Sequence, residues 1–186
     1  MNKAILWNRD GVLNNLLSFR LSDGIKNASP RKFEDFTITE NAKEVLYEIK
    51  KRGYLNIVHT NQPDIAREKM SLDELNLMHN FLKKQLPIDA IYVCPHGKYD
   101  HSDICQCRKP KAGMFFDAIK DFNLDVSQCY NIGDSKKDIE VGLVAGIKNI
   151  FLRTHYNDDF VFSEKKKVGI VYFEIKNIKE ILNIVK

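Results

Sequence analysis

The sequence predicts an α/β fold, Rossmann-like and doubly wound, with a mainly parallel sheet covered by helices on both faces. Two observations carry that expectation. Short apolar runs alternate with stretches of helical periodicity, and no internal repeat or low-complexity linker interrupts them. Polar clusters follow four of the apolar runs, which is where ligands bind in open sheets of this kind.

Ala4 to Trp7 is short and apolar and reads as a buried strand. Ala42, Val45, Leu46 and Ile49 recur on one helix face, Gly53 stops that helix, and Tyr54 to His59 reads as the next strand. Ser71 and Glu74 have capping-box spacing, and Leu72, Leu75, Met78 and Leu82 line the helix they open. A strand from Ala90 to Val93 follows, then a helix carrying Phe115, Ala118, Ile119 and Phe122 and a strand from Tyr130 to Ile132. A helix from Lys136 to Ala145 leads to a strand from Asn149 to Leu152. A last unit pairs a strand from Val168 to Phe173 with a helix from Ile178 to Val185.

With 186 residues, 44% of them hydrophobic and 29% charged, the chain can bury one sizeable core, so a single domain over residues 1–186 is expected. Asn8, Arg9 and Asp10 end the first apolar run far short of a signal peptide or membrane span. The expectation is therefore a cytoplasmic protein with reduced thiols and no membrane association. The net charge of +4 comes partly from Lys165-Lys166-Lys167, read as a solvated turn. No broad basic stripe with aromatic residues marks a nucleic-acid surface, so an anionic small molecule is the expected partner of a monomeric chain.

Cys94-Pro95-His96 is followed, eight residues later, by Cys105-Gln106-Cys107. Three thiolates and one imidazole suit a closed tetrahedral Zn2+ site in a loop over residues 94–107. Buried cysteines or a disulfide pair are the alternative, but neither requires a histidine in a polar, charged loop. Cys129, in an apolar segment, is expected in the core. Arg108 and Lys109 follow the last ligand and bring two cations toward an anion site.

The four polar clusters are Asn8-Arg9-Asp10-Gly11, Thr60-Asn61-Gln62, the Cys/His loop with Arg108-Lys109, and Gly133-Asp134-Ser135. Each alone reads as a turn, a loop cap or a helix N-cap. Together, beyond the carboxyl ends of neighbouring strands, they read as one active site.

These residues resemble the haloacid dehalogenase (HAD) superfamily of aspartyl phosphotransferases over about residues 4 to 153. The motifs are Asn8-Arg9-Asp10-Gly11, Thr60, Lys109 and Gly133-Asp134-Ser135-Lys136-Lys137-Asp138. Thr60-Asn61-Gln62 with Ile65-Ala66-Arg67, the Cys/His loop and Arg108-Lys109-Pro110 are similar to the branch containing heptose bisphosphate phosphatases and histidinol phosphatases.

Three departures stand out. The family's nucleophilic aspartate is Asn8 here, and a neutral amide neither attacks phosphorus nor binds magnesium well. Pro63-Asp64 stands where the family has a small residue and glycine, and Asp64 adds negative charge beside a phosphate site unless it points away. The stretch from Asn14 to Arg31 is too short for a separate cap domain, so substrate selection is expected from that segment, including Ser29-Pro30-Arg31, and from the zinc loop.

The resemblance implies a Mg2+-dependent sugar-phosphate phosphatase of the D-glycero-D-manno-heptose 1,7-bisphosphate type in the form with aspartate at position 8. Residue 8, the Asp10 carbonyl and Asp134 would then hold Mg2+, and Asp10 would act as general acid and base. Thr60 and Lys109 would hold the phosphoryl oxygens. Asn61, Gln62, Arg108 and Arg31 would meet other parts of the substrate. Asp138 would orient its neighbours, and Zn2+ at Cys94, His96, Cys105 and Cys107 would shape the loop without taking part in chemistry. With Asn8 the chain is expected to be inactive or nearly so. Asn8 is either a single substitution that traps substrate or the mark of a natural non-catalytic phosphosugar-binding protein, and the intact remainder of the motif favours the former. Histidinol phosphate is the competing substrate. A zinc-ribbon nucleic-acid module is disfavoured, since the cations beside the loop are only Arg108, Lys109 and Lys111, with Lys98 alone inside it.

Overall fold

The computed structural model describes residues 1–22, 24–97, 105–157 and 172–186. Strand β1 (Lys3–Asn8) leads to an antiparallel hairpin of β2 (Leu17–Leu21) and β3 (Gly24–Ala28). Helix α1 (Ala42–Lys51), β4 (Tyr54–Asn61), α2 (Leu72–Gln85), β5 (Ala90–Cys94), α3 (Gly113–Asp121), β6 (Tyr130–Gly133), α4 (Lys136–Val144), β7 (Lys148–Leu152), β8 (Tyr172–Ile175) and α5 (Ile181–Ile184) follow. Six strands form one sheet in the order β5-β4-β1-β6-β7-β8, and every adjacent pair is parallel.

The chain winds from β1 toward β5 and then returns to the other side of β1 to build β6, β7 and β8. The reversal falls between β1 and β6, so the crevice beyond their carboxyl ends is the expected ligand position. Alternation along β1 shows how the helices cover both faces. Ile5 and Trp7 join a buried core with Val45, Leu46 and Ile49 of α1, Leu75, Met78 and Leu82 of α2, and Ile181 of α5. Ala4 and Leu6 join a second core with Met114, Phe115 and Ala118 of α3, Val141 of α4, and Cys129. Asn56, fully buried in β4, pins the first core: it accepts from Trp7 Nε1 at 3.0 Å and donates to the Leu46 and Pro87 carbonyls.

Several details differ from the sequence expectations. The β2–β3 hairpin was not anticipated, although Asp23-Gly24 is a hairpin-turn signal between two short strands. The strand after Gly53 continues through Thr60 and Asn61, so these residues end β4 and do not follow it. Leu72 is 60% exposed, and the buried stripe of α2 begins at Leu75. Ser71 caps α2 by accepting from Glu74 N, but the Glu74 carboxylate receives the Phe33 N–H instead of closing a capping box. The C-terminal helix is a 3-10 turn (Ile178–Glu180) followed by the single turn of α5. Of the last expected strand, Tyr172 and Phe173 lie in β8; residues 168–171 and Lys165-Lys166-Lys167 lie outside the described residues.

Candidate active site

Four strand ends deliver the site. β1 supplies Asn8 and the turn to Asp10, β4 supplies Thr60 and Asn61, the segment after the Cys/His loop supplies Arg108 and Lys109, and β6 leads into Asp134 and Asp138. A cavity of about 300 Å3 opens there, lined among others by Asn8, Asp10, Thr60, Lys109 and Asp134. Leu16 and Ser29, at the two feet of the β2–β3 hairpin, form part of its wall, and Arg108 and Lys137 add positive charge. The hairpin therefore contributes to the cavity from the segment where a cap domain would be inserted.

Asn8 is 8% exposed and fully bonded. Its Nδ2 donates to the Asp10 carbonyl at 2.8 Å and to Asp134 Oδ1 at 2.9 Å, with Asp138 Oδ2 at 3.4 Å. Its Oδ1 accepts from Lys109 Nζ at 2.8 Å. The amide has only one orientation that satisfies these partners, because an ammonium donates only and carbonyl and carboxylate oxygens accept. Lys109 also donates to Asp138 Oδ1 at 2.6 Å, an ion pair whose side chains are 4% and 1% exposed. Ser135 and Asp138 close a capping box at the start of α4, which holds the Asp138 carboxylate toward Lys109.

Burial and then the neighbouring Asp138 carboxylate push the Asp134 carboxyl up to about 7, against hydrogen bonds from Tyr156 and Asn8. Tyr156 Oη donates to Asp134 Oδ2 at 2.8 Å, and Asn157 Nδ2 donates to the Asp134 carbonyl. Gly11, at φ +81°, is required here, since a Cβ would lie 2.1 Å from Asp134 Oδ2.

The Asp10 carbonyl and Asp134 are hard oxygen donors that suit Mg2+. Residue 8 does not fit as the third. Its NH2 already occupies both oxygens, and turning the amide to offer Oδ1 would set NH2 against the Lys109 ammonium.

Asp10 is held from below. Arg9, wholly buried, donates to Asp10 Oδ1 through Nε and Nη2, and Gln62 Nε2 donates to Asp10 Oδ2 at 2.7 Å. Gln62 also donates to Thr60 Oγ1 and is 2% exposed. It therefore orients two site residues and does not line the cavity, contrary to its expected role as a substrate contact. Arg31 does not line the cavity either, because its guanidinium is drawn to Asp64 Oδ2 at 2.5 Å. Arg67 takes the other Asp64 oxygen, so the carboxylate that threatened a phosphate is turned onto two cations. Burial would raise the Asp64 carboxyl, but the bonds from Arg31 and Arg67 outweigh it and hold it below its ordinary value. Asn61 ties the Lys109 backbone to β4, its Oδ1 accepting from Lys109 N at 3.1 Å.

The donor atoms of Cys94, His96, Cys105 and Cys107 all lie within 4.8 Å of one another. Neighbouring pairs are 3.8 Å (Cys94–Cys105), 3.5 Å (Cys105–Cys107) and 3.3 Å (Cys107 to His96 Nδ1) apart. Tetrahedral Zn–S and Zn–N bonds give edges of about 3.5 to 3.8 Å, so these neighbouring pairs are close to zinc spacing, although the whole set spreads to 4.8 Å, and all are far too open for a disulfide. Burial, then the hydrogen bonds that the Cys107 thiol gives to Cys94 and Cys105, push that thiol up to about 12. Arg108 is coupled to this loop through Nη1, which donates to the His96 carbonyl at 2.9 Å.

Fold and site have the arrangement of a HAD-like hydrolase, and a family model described as HAD-hydrolase-like matches residues 106–161. The D-glycero-beta-D-manno-heptose-1,7-bisphosphate 7-phosphatase of Haemophilus influenzae is 34% identical over 163 residues, 83% of each chain. The D-glycero-alpha-D-manno-heptose-1,7-bisphosphate 7-phosphatase of Campylobacter jejuni is 34% identical over 189 residues, 99% of this chain and 96% of that one. The crystal structure of D,D-heptose 1,7-bisphosphate phosphatase from B. bronchiseptica complexed with magnesium and phosphate shares the fold, with a TM-score of 0.77, 23% identity and 99% coverage of both chains. The chain belongs to the heptose bisphosphate 7-phosphatase family of HAD phosphatases, a family of phosphomonoester hydrolases.

Sequence reasoning passed over Arg9 as a positioning group and missed His79 behind it. Arg9 Nη1 meets His79 Nε2 at 3.1 Å, and since guanidinium only donates, the imidazole accepts as a neutral ring. Burial, then the Arg9 charge, lower His79 to about 4. The unfolded chain takes up this proton near pH 6.5 and the folded chain near pH 4, so stability falls as pH drops through that window. The loss is on the order of 3 kcal/mol. His79→Gln keeps an acceptor but removes the titration, and urea unfolding at pH 7 and pH 5 is expected to show a smaller loss for the variant. An equal loss in both proteins contradicts the buried neutral imidazole.

Proposed function

We propose that this chain binds a D-glycero-D-manno-heptose 1,7-bisphosphate with the 7-phosphate against Thr60 and Lys109, and that with Asn8 it hydrolyses the ester very slowly if at all. The observation that carries the reading is the convergence of residue 8, Asp10, Thr60, Lys109 and Asp134 on one cavity, with Arg108 and Lys137 at its wall. Two relatives at 34% identity that are named for this bisphosphate support the substrate class. Their names differ in anomer, so both anomers are test substrates.

With aspartate at position 8, the carboxylate would attack phosphorus in line and form an aspartyl-phosphate while the O7 bond breaks. Asp10, steered by Arg9 and Gln62, would protonate the leaving sugar oxygen and then take a proton from the water that hydrolyses the intermediate. Thr60 Oγ1 and Lys109 Nζ would hold phosphoryl oxygens through charge-assisted bonds. Bound Mg2+ would neutralise charge on the transferring group. In this chain Asn8 lacks the nucleophilic charge, and its NH2 engages the oxygens a cation would need. Binding is expected to survive, because Thr60, Arg108 and Lys109 do not depend on residue 8 for their charge or hydroxyl. That intact binding apparatus keeps a non-catalytic phosphosugar-binding role as the second reading.

Asn8→Asp is expected to raise phosphate release from the bisphosphate at least about a thousandfold in a magnesium-containing assay, a barrier change of roughly 4 kcal/mol. Equal rates contradict the covalent mechanism, and a preference for histidinol phosphate over both heptose anomers contradicts the substrate assignment.

We further propose that Zn2+ held by Cys94, His96, Cys105 and Cys107 organises the loop and leaves the fold to the two apolar cores. Cys107→Ser is expected to abolish stoichiometric zinc by metal analysis and to weaken bisphosphate binding in calorimetry through Arg108. Cooperative thermal unfolding is retained. Global unfolding of the variant, or parent protein purified without zinc, contradicts this division.

A further inference from the structure

Lys109 has three N–H groups and no acceptor capacity, and in this fold each N–H has a partner: Asn8 Oδ1 at 2.8 Å, Asp138 Oδ1 at 2.6 Å and His59 Nδ1 at 3.0 Å. His59 lies in β4 directly before Thr60, is 1% exposed, and does not line the cavity. We propose that His59 is a positioning residue for Lys109, a neutral imidazole whose Nδ1 lone pair fixes the ammonium that addresses the phosphate.

The direction of every bond behind His59 agrees. Because Lys109 only donates, Nδ1 carries the lone pair and the ring proton sits on Nε2, which donates to Asn131 Oδ1 at 3.0 Å. Asn131 Nδ2 then donates to Asn149 Oδ1 at 2.8 Å and to the Asp138 carbonyl at 2.7 Å. Asn149 Nδ2 ends the series on the Ile147 carbonyl at 3.1 Å. Read from the other end the order is the same, since a carbonyl only accepts. A one-way chain thus runs from Lys109 through β4 and β6 to β7, and it specifies one imidazole tautomer without water, Asn131 and Asn149 both being fully buried. Phe115 packs on the ring, with centroids 4.7 Å apart, and limits its rotation. Gly142 of α4 leaves the space the amides need: a Cβ there would lie 2.0 Å from Asn149 Oδ1.

Three acceptors give the ammonium one tetrahedral orientation, with Asp138 and His59 holding two N–H groups inward; the third, on Asn8 Oδ1 at the cavity wall, is the one a phosphate oxygen would take over. With two, its third N–H is buried without a partner and the group turns to recover one. The lysine that should face the cavity is then redirected toward Asp138, its strongest attractor. The imidazole acts without charge of its own, which matters because a second cation beside Lys109 would oppose the Asp138 ion pair.

This inference rests on the phosphate-binding reading of the site, and the test separates the two. Inorganic phosphate is titrated calorimetrically into the parent chain, His59→Asn, His59→Gln and His59→Leu, with melting temperatures recorded for each. Asparagine places an acceptor where Nδ1 stood and is expected to keep phosphate affinity within about threefold, while glutamine and leucine lose about tenfold or more, the loss of one bond to a charged donor. An affinity ranking that follows melting temperature, with leucine no worse than asparagine, overturns the proposal in favour of simple packing. Independently, 15N NMR of the histidine-labelled parent is expected to show His59 as the Nε2–H tautomer; an Nδ1–H or cationic ring overturns the proposal even if the variants fail to fold. Absence of phosphate binding by the parent defeats the binding reading, and the tautomer alone then decides the Lys109 contact.

Discussion

The buried ammonium of Lys109 is the interaction on which the active centre depends. An isolated charge this deep would cost several kcal/mol, and removing one partner of such a pair typically costs about 3 to 5 kcal/mol. The fold meets that cost with the Asp138 carboxylate, the Asn8 amide oxygen and the His59 lone pair. Each acceptor comes from a different element. Because β1, β4 and α4 must all be in place before Lys109 is satisfied, the lysine couples the position of residue 8 to the packing of the sheet.

The same geometry explains what Asn8 does to the site. Asp134 and Asp138 set two carboxylates beside one ammonium, and the environment of Asp134 already disfavours its charge. An aspartate at position 8 would add a third carboxylate, an excess that a divalent cation relieves. An asparagine adds none and offers two N–H donors to the Asp10 carbonyl and Asp134. The amide thus pairs the polar groups around position 8 without adding charge to the site.

Much of this was legible in the chain. The strand ends announced themselves because apolar runs stopped abruptly at polar residues, and the four Cys/His side chains that lie together did so through spacing alone. Directions of side chains were not legible. Gln62 and Arg31 sit close in sequence to true cavity residues, yet Gln62 turns back onto Asp10 and Arg31 is captured by Asp64. Tyr156, beyond the end of β7, reaches Asp134 over a separation that no local pattern encodes. One unused signal was present. Central parallel strands are buried on both faces, so Asn56, His59, Asn131 and Asn149 inside apolar runs had to be partnered buried groups, three of which prove to stand behind Lys109.

At position 8 the amide NH2 takes the Asp10 carbonyl and Asp134 oxygens that a divalent cation would engage. Calorimetric titration of Mg2+ into this chain and into Asn8→Asp, both without substrate, tests it most directly. A single saturable site is expected in the aspartate form, with much weaker or undetectable binding for asparagine. Equal magnesium affinity in the two proteins would contradict it.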